Sequence, residues 1–208
     1  MPGVFITLEG PEGAGKTLQA RRLVDALEGL GHRPRLTREP GGTSLGERIR
    51  SIVLTAAEGG AGIDPMADAL LFNAARAQLV SEVIRPALAA GEVVVCARFA
   101  DSTLAYQGYG AGAPLTALKA VEDAATGGLL PDLTILLDVP PEVGLARKVE
   151  ASRNRFEAAF DLEFHRRVRD GFLELARQEP DRWRVIDATR DADAVFADVR
   201  QEVSLWFS

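Results

Sequence analysis

The stretch that most constrains this chain is Gly10-Pro11-Glu12-Gly13-Ala14-Gly15-Lys16-Thr17. It matches G-x-x-x-x-G-K-[ST] and sits between an apolar run, residues 4–8, and a helical pattern from Thr17. Glycines let the backbone curl so that successive N–H groups point inward at phosphate oxygens, and the following helix N-terminus adds partial positive charge. Lys16 is spaced to reach β- and γ-phosphates, and the Thr17 hydroxyl to ligate Mg²⁺. An ordinary Gly-rich turn with a surface lysine needs neither flank. The motif therefore predicts a nucleoside triphosphate site on a strand–loop–helix unit.

Apolar runs recur at 93–96 and 133–137, with shorter candidates at 35–37 and 184–186. Runs apolar throughout fit central parallel strands covered on both faces. Helical spacing lies between them: Leu18, Leu23, Leu27 and Leu30 before a Gly31 C-cap, and Val195, Phe196, Val199 and Val203 in a tail from Asp191 to Trp206. Asp64-Pro65 reads as an N-cap opening a helix to about Ala90, and Pro140-Pro141 opens another from Glu142. The Gly-rich stretches 41–46, 59–62 and 108–112 read as loops. This alternation predicts an α/β fold with a central parallel sheet of about five strands and helices on both faces.

With 208 residues, no repeats and no low-complexity linker, a single domain spanning 1–208 is expected. The lone Cys96, at a strand end, reads as a small buried apolar residue and fits a reducing compartment. No apolar run reaches membrane length and no leader pattern is visible, so a cytoplasmic location without a membrane partner is expected. A net charge of -6 speaks against polymeric nucleic acid. The 24 basic residues include only three lysines, at 16, 119 and 148, which leaves 21 arginines. His32 and His165 lack partners at metal-ligand spacing; they read as post-helix loop and helix surface.

Such a cradle serves switch GTPases, motor ATPases and small kinases. The guanine-reading Asn-Lys-x-Asp loop is missing, since neither Asn73 nor Asn154 opens one. No motor-like appendage is visible. A kinase needs a second anion site for its acceptor, and arginine forks suit bidentate capture of phosphate. Two arginine-bearing segments follow predicted strands, where open α/β sheets place ligands: Thr37-Arg38-Glu39-Pro40-Gly41-Gly42-Thr43, and the stretch from Arg98 to Gly108. Taken singly, an arginine is more often a solvated surface charge.

These segments, with Glu9 to Thr17, Leu71-Phe72, Arg76, Ser102-Thr103-Leu104-Ala105-Tyr106-Gln107-Gly108 and Pro131 to Asp138, resemble the bacterial thymidylate kinases nearly end to end. The resemblance implies a P-loop kinase fold with a mobile lid, Mg²⁺-dependent phosphoryl transfer from ATP to dTMP, and a homodimer. By that likeness Gly10, Pro11, Glu12, Gly13, Ala14, Gly15, Lys16 and Thr17 would bind ATP. Arg38 and Arg98 would hold the acceptor phosphate, Phe72 would stack on thymine, and Arg76 would hydrogen-bond a thymine carbonyl. Thr103, Tyr106 and Gln107 would line the remaining pocket, Tyr106 near the sugar. A separation of four puts Phe72 and Arg76 on one helix face, although spacing alone favours a core Phe beside a solvated Arg.

The acceptor oxygen is already anionic near neutral pH, so catalysis reduces to alignment and charge stabilisation. The resembled family carries basic catalytic residues either inside the P-loop or in a lid. Glu12 in the P-loop points to the lid, about residues 142–160. There Arg153 and Arg155 would join Lys16 and Arg98 as the catalytic charges, with Arg147 and Lys148 as further candidates. One departure concerns the metal: the family usually has Asp-Arg after the central strand, and this chain reads Cys96-Ala97-Arg98. Alanine cannot help organise Mg²⁺. Thr17 remains the expected ligand, with Glu9 favoured over Glu12 and Asp138 to supply a carboxylate. Two alternatives stay open: a kinase for another nucleoside monophosphate, and a nucleotide-binding module catalytically weakened by Ala97.

Overall fold

The computed structural model describes residues 3–55, 63–147 and 160–207. Strands β1 (Val4–Glu9), β2 (Pro34–Arg38), β3 (Val93–Ala97), β4 (Leu133–Asp138) and β5 (Trp183–Asp187) form one sheet in the order β2-β3-β1-β4-β5. Every neighbouring pair is parallel. The three apolar runs are the central strands, and the two short candidates are the edges. Helices among the described residues are α1 (Lys16–Gly29), α2 (Ser44–Leu54), α3 (Pro65–Leu79), α4 (Arg85–Ala89), α5 (Ala100–Thr103), α6 (Leu115–Thr126), α7 (Pro141–Ala146), α8 (Leu162–Gln178) and α9 (Ala192–Trp206). Two π-helical turns, Val80–Ile84 and Leu104–Gly110, join α3 to α4 and prolong α5.

Strand alternation divides the core into layers. Ile6, Leu8, Val93, Val95, Leu133, Ile135 and Leu137 pack with Leu23 and Leu27 of α1 and Val195, Val199 and Val203 of α9. On the opposite face Phe5, Val94 and Cys96 meet Leu79, Val80, Ile84 and Ala87, while Leu136 meets Phe164, Val168 and Phe172 of α8. Each such Val, Leu, Ile or Phe side chain, once buried, contributes about 1.5–3 kcal/mol. Helices on both faces and a buried Cys96 match expectation.

Several local readings need correction. Residues 44–46 open α2 rather than a loop, because Thr43 Oγ1 accepts from Gly46 N at 2.9 Å and the helix then buries Ile49 and Val53. Gly108 and Gly110 lie in the second π turn, where packing demands small residues: a Cβ on Gly110 would stand 2.7 Å from Phe164. Residues 59–62 lie outside the described residues. Leu18 and Leu30 are exposed, and Ala20 and Gln19 share the buried face of α1 instead. His165 is buried rather than superficial, edge-on to the Phe164 ring.

Register builds the site. Leu8 stands opposite Ala97, and Ala97 opposite Arg38, so the carboxyl ends of β1, β3 and β2 lie side by side. Arg98 N donates to Leu8 O at 3.0 Å, which brings Arg98 beside Glu9 and Gly10. The connection leaving β1 runs to one edge of the sheet, whereas those leaving β3 and β4 run toward the other, so the carboxyl end of β1 is a topological switch point where ligands bind.

Candidate active site

A cavity of about 420 Å³ opens at these strand ends, bordered by Lys16 and Thr17 on one side and by Arg98, Phe72, Tyr106 and Gln107 on the other. Helix α1 has no side-chain cap and no acidic residue in its first turn, so its N-terminal N–H groups stay oriented toward an external anion. Gly13 has φ 72°, and a Cβ there would lie 1.9 Å from Gly144 O. Only glycine lets the loop rest on α7, the first turn of the expected lid. Lys16 Nζ donates to Gly10 O at 2.8 Å and Pro11 O at 2.7 Å, bending over its own loop.

Arg98 has φ 72°, a region that costs a non-glycine residue about 1–3 kcal/mol and persists where surroundings over-determine it. Those surroundings are visible. Glu9 accepts from Phe99 N and from Ser102 Oγ, both at 2.6 Å, gripping the chain just after Arg98. The guanidinium then donates to Glu12 Oε1 at 2.8 Å, Tyr106 Oη at 3.0 Å and Ser102 Oγ at 3.2 Å. Burial works against its charge, but Tyr106, Glu12 and Glu9 outweigh burial and hold its pKa above the usual value.

Arg38 donates to both Glu47 oxygens, at 2.9 and 3.0 Å. Arg50 also borders the cavity, with Nη1 on Pro40 O at 2.9 Å. Burial lowers its pKa, and the positive Arg38 and Arg98 lower it further. Three guanidiniums therefore converge on one end of the cavity. Arg50 escaped the sequence reading because α2 did; the signal was the Ile49/Val53 spacing after Thr43.

Phe72, Thr103, Tyr106 and Gln107 all reach the cavity wall, but Arg76 does not. It is 1% exposed, giving Nε and Nη2 to Glu39 Oε2 at 2.9 and 2.7 Å, Nη1 to Asn73 Oδ1 at 2.7 Å, and Nη2 also to Phe99 O and Thr103 Oγ1 at 3.0 and 3.1 Å. Burial pushes the Glu39 carboxyl up despite Arg76. Arg76 is thus neither the solvated arginine that spacing favours nor a side chain facing the cavity.

For a metal, the described residues contain no cluster of three His, Cys, Asp or Glu side chains. Glu9 is fully buried with each carboxylate oxygen engaged, so it is not brought to the cavity. Asp138 is taken bidentately by Arg169 at 2.7 and 2.8 Å. Thr17 and Glu12 do border the cavity, as does Ala97. Of the basic lid candidates, Arg147 is described: Nη1 donates to Ala188 O at 2.8 Å and Nη2 to Thr189 O at 2.9 Å. Lys148, Arg153 and Arg155 lie outside the described residues. A second cavity of about 310 Å³ shares Gly13, Gly15, Leu18 and Arg147 with the first and continues to Ala188 and Ala192.

The family model described as thymidylate kinase matches residues 8–199. The thymidylate kinase of Deinococcus radiodurans is 54% identical over 203 residues, covering 97% of each chain. That of Desulfovibrio desulfuricans is 49% identical over 210 residues, covering 98% of this chain and 96% of the relative. Among solved structures, the thymidylate kinase of Ehrlichia chaffeensis superposes with a TM-score of 0.80 at 33% identity, covering 98% of this chain and 99% of its own.

Proposed function

The chain belongs to the thymidylate kinase family and is an ATP-dependent nucleoside monophosphate kinase, and we propose that the larger cavity seats dTMP with its phosphate on Arg98, Arg38 and Arg50. The reaction transfers the γ-phosphoryl group of ATP to dTMP, giving dTDP and ADP. Convergence of the three arginines beside the P-loop carries the residue assignment. Burial and the charges of Arg38 and Arg98 leave Arg50 short of an anion, and the Glu12 and Glu47 carboxylates hold the Arg98 and Arg38 forks aligned until phosphate replaces them. Residues 10–17 hold the ATP phosphates. The second cavity, which shares Gly13, Gly15, Leu18 and Arg147 with the first, seats the donor nucleoside.

Mg²⁺ fits the donor set, because it takes few protein oxygens and keeps waters and phosphate oxygens. Thr17 Oγ1 and Glu12 would hold it, and when bound it neutralises charge on the β- and γ-oxygens. Phe72 borders the base, and Arg76 acts behind it by bracing Glu39, Phe99 O and Thr103. The enzyme is read as a single kinase domain over 1–208 in the cytoplasm, and on the family's account as a homodimer with a lid over about 142–160. No helix of the described residues is long and apolar enough to cross a membrane.

The deciding experiment is phosphoryl transfer from ATP, with dTMP, dUMP, UMP and CMP compared by kcat/KM. dTMP is expected to lead. A higher value for any competitor would overturn the acceptor assignment, and nucleotide binding without turnover at saturating Mg²⁺ would favour the weakened module.

Glu9 becomes a positioning residue for Arg98 rather than a metal ligand. Glu9→Ala is expected to weaken dTMP binding about tenfold with no Mg²⁺ present. Unchanged Mg²⁺-free binding would return Glu9 to the metal. Burial, then Asp101, pushes the Glu9 carboxyl up to about 7 from its ordinary 4.5. Its contribution to stability is full below about 4.5 and is lost as pH rises through about 7, because over that range the unfolded chain has released the proton that the folded chain still holds. Glu122, pushed up to about 8, behaves alike in both proteins. Thermal midpoints of Glu9→Gln should therefore fall less than those of wild type between about pH 5 and pH 8. Parallel profiles would refute that titration.

A further inference from the structure

We propose that Asp68 is a positioning residue that fixes the polarity of the Gln107 amide, so that the pocket accepts a ring N–H from the base. The inference rests on the dTMP reading above and adds how the base is told apart. Gln107 borders the cavity, and its Nε2 donates to Asp68 Oδ2 at 2.8 Å. Both residues are buried. Asp68 lies in the first turn of α3, one helical turn before Phe72, so a single helix face supplies the ring at the cavity and the carboxylate behind the amide.

A terminal amide keeps its shape when turned over, but the turn exchanges an acceptor oxygen for a donor NH₂. A carboxylate offers acceptors only, so it admits one of the two orientations. With NH₂ drawn to Asp68, Oε1 faces the other way. The Watson–Crick edge of thymine presents one donor, N3–H, between two carbonyl oxygens. Cytosine presents a lone pair at N3. Oε1 of Gln107 complements the first and opposes the second. Thr103, which accepts from Arg76 Nη2 at 3.1 Å, can donate its hydroxyl proton to a flanking carbonyl.

The test is equilibrium binding of dTMP and dCMP, by calorimetry, to wild type, Asp68→Asn and Asp68→Ala, with thermal midpoints reporting folding. Asn keeps the shape of Asp68 but can donate to Oε1, letting the amide turn its NH₂ toward N3. The selectivity Kd(dCMP)/Kd(dTMP) is expected to fall about tenfold or more in Asp68→Asn. In Asp68→Ala, where the amide is merely released, a fall of about threefold or more is expected. A residue that only supports the fold would weaken both nucleotides in proportion. Selectivity within about twofold of wild type, in whichever variant folds, overturns the proposal. Wild type without preference for dTMP overturns the acceptor reading itself, whereas selective wild type with equally selective variants overturns only the role of Asp68.

Discussion

Arg98→Ala is expected to lower kcat/KM for dTMP by about 10²–10³ while leaving the ATP KM within about threefold, in line with removal of one charged donor from a preorganised site. The expected size follows from how much holds this guanidinium in place. Its backbone is kept at φ 72°, Glu9 grips the following turn through Phe99 N and Ser102, and Glu12 and Tyr106 set the plane of the fork. The desolvation of the charge is already compensated before substrate arrives, so phosphate meets a preorganised partner. Arg98→Lys should recover little, because one ammonium cannot reproduce the planar fork. Steady-state kinetics with dTMP varied at saturating ATP reads the effect. A loss below threefold would remove Arg98 from the acceptor site.

The second large effect is expected at Arg153 and Arg155, which we propose act as lid clamps. Among the described residues, Arg38, Arg50 and Arg98 crowd the acceptor end, and Arg147 is engaged by the carbonyls of Ala188 and Thr189. Glu12 takes the P-loop position where a basic catalytic residue could otherwise stand. Beyond Lys16, charge on the transferring group must then be stabilised from outside the loop. Arginines in that role are worth about 10³–10⁵ in rate, so the double alanine variant should lose kcat on that scale with Kd for ATP changed far less. Single-turnover transfer separates the chemical step from binding. Arg153→Ala and Arg155→Ala that each keep kcat within about threefold would end this assignment.

Local patterning made the sheet legible: five short runs were readable as strands because side-chain burial along a strand depends on near neighbours. Helix α2 was not, since its cap lies inside Gly41-Gly42-Thr43-Ser44-Leu45-Gly46 and it buries a narrow apolar stripe. Arg76 shows the deeper limit. Whether it is solvated or buried depends on Glu39, 37 residues away, and nothing in the spacing around Arg76 announces that pair. His165 is likewise buried at a position that helical spacing reads as surface.

The donor cradle was determined by the sequence alone, because it is built from backbone N–H groups whose directions follow from glycines at 10, 13 and 15 and from the helix that begins at Lys16. Which carboxylate serves which arginine was decided only by the tertiary structure. Strand register sets Arg98 against Gly10 and Glu12, 86 residues back, and sends Glu9 inward to hold the turn. Charge pairing across a sheet depends on which strands are neighbours, and neighbourhood is a property of the fold.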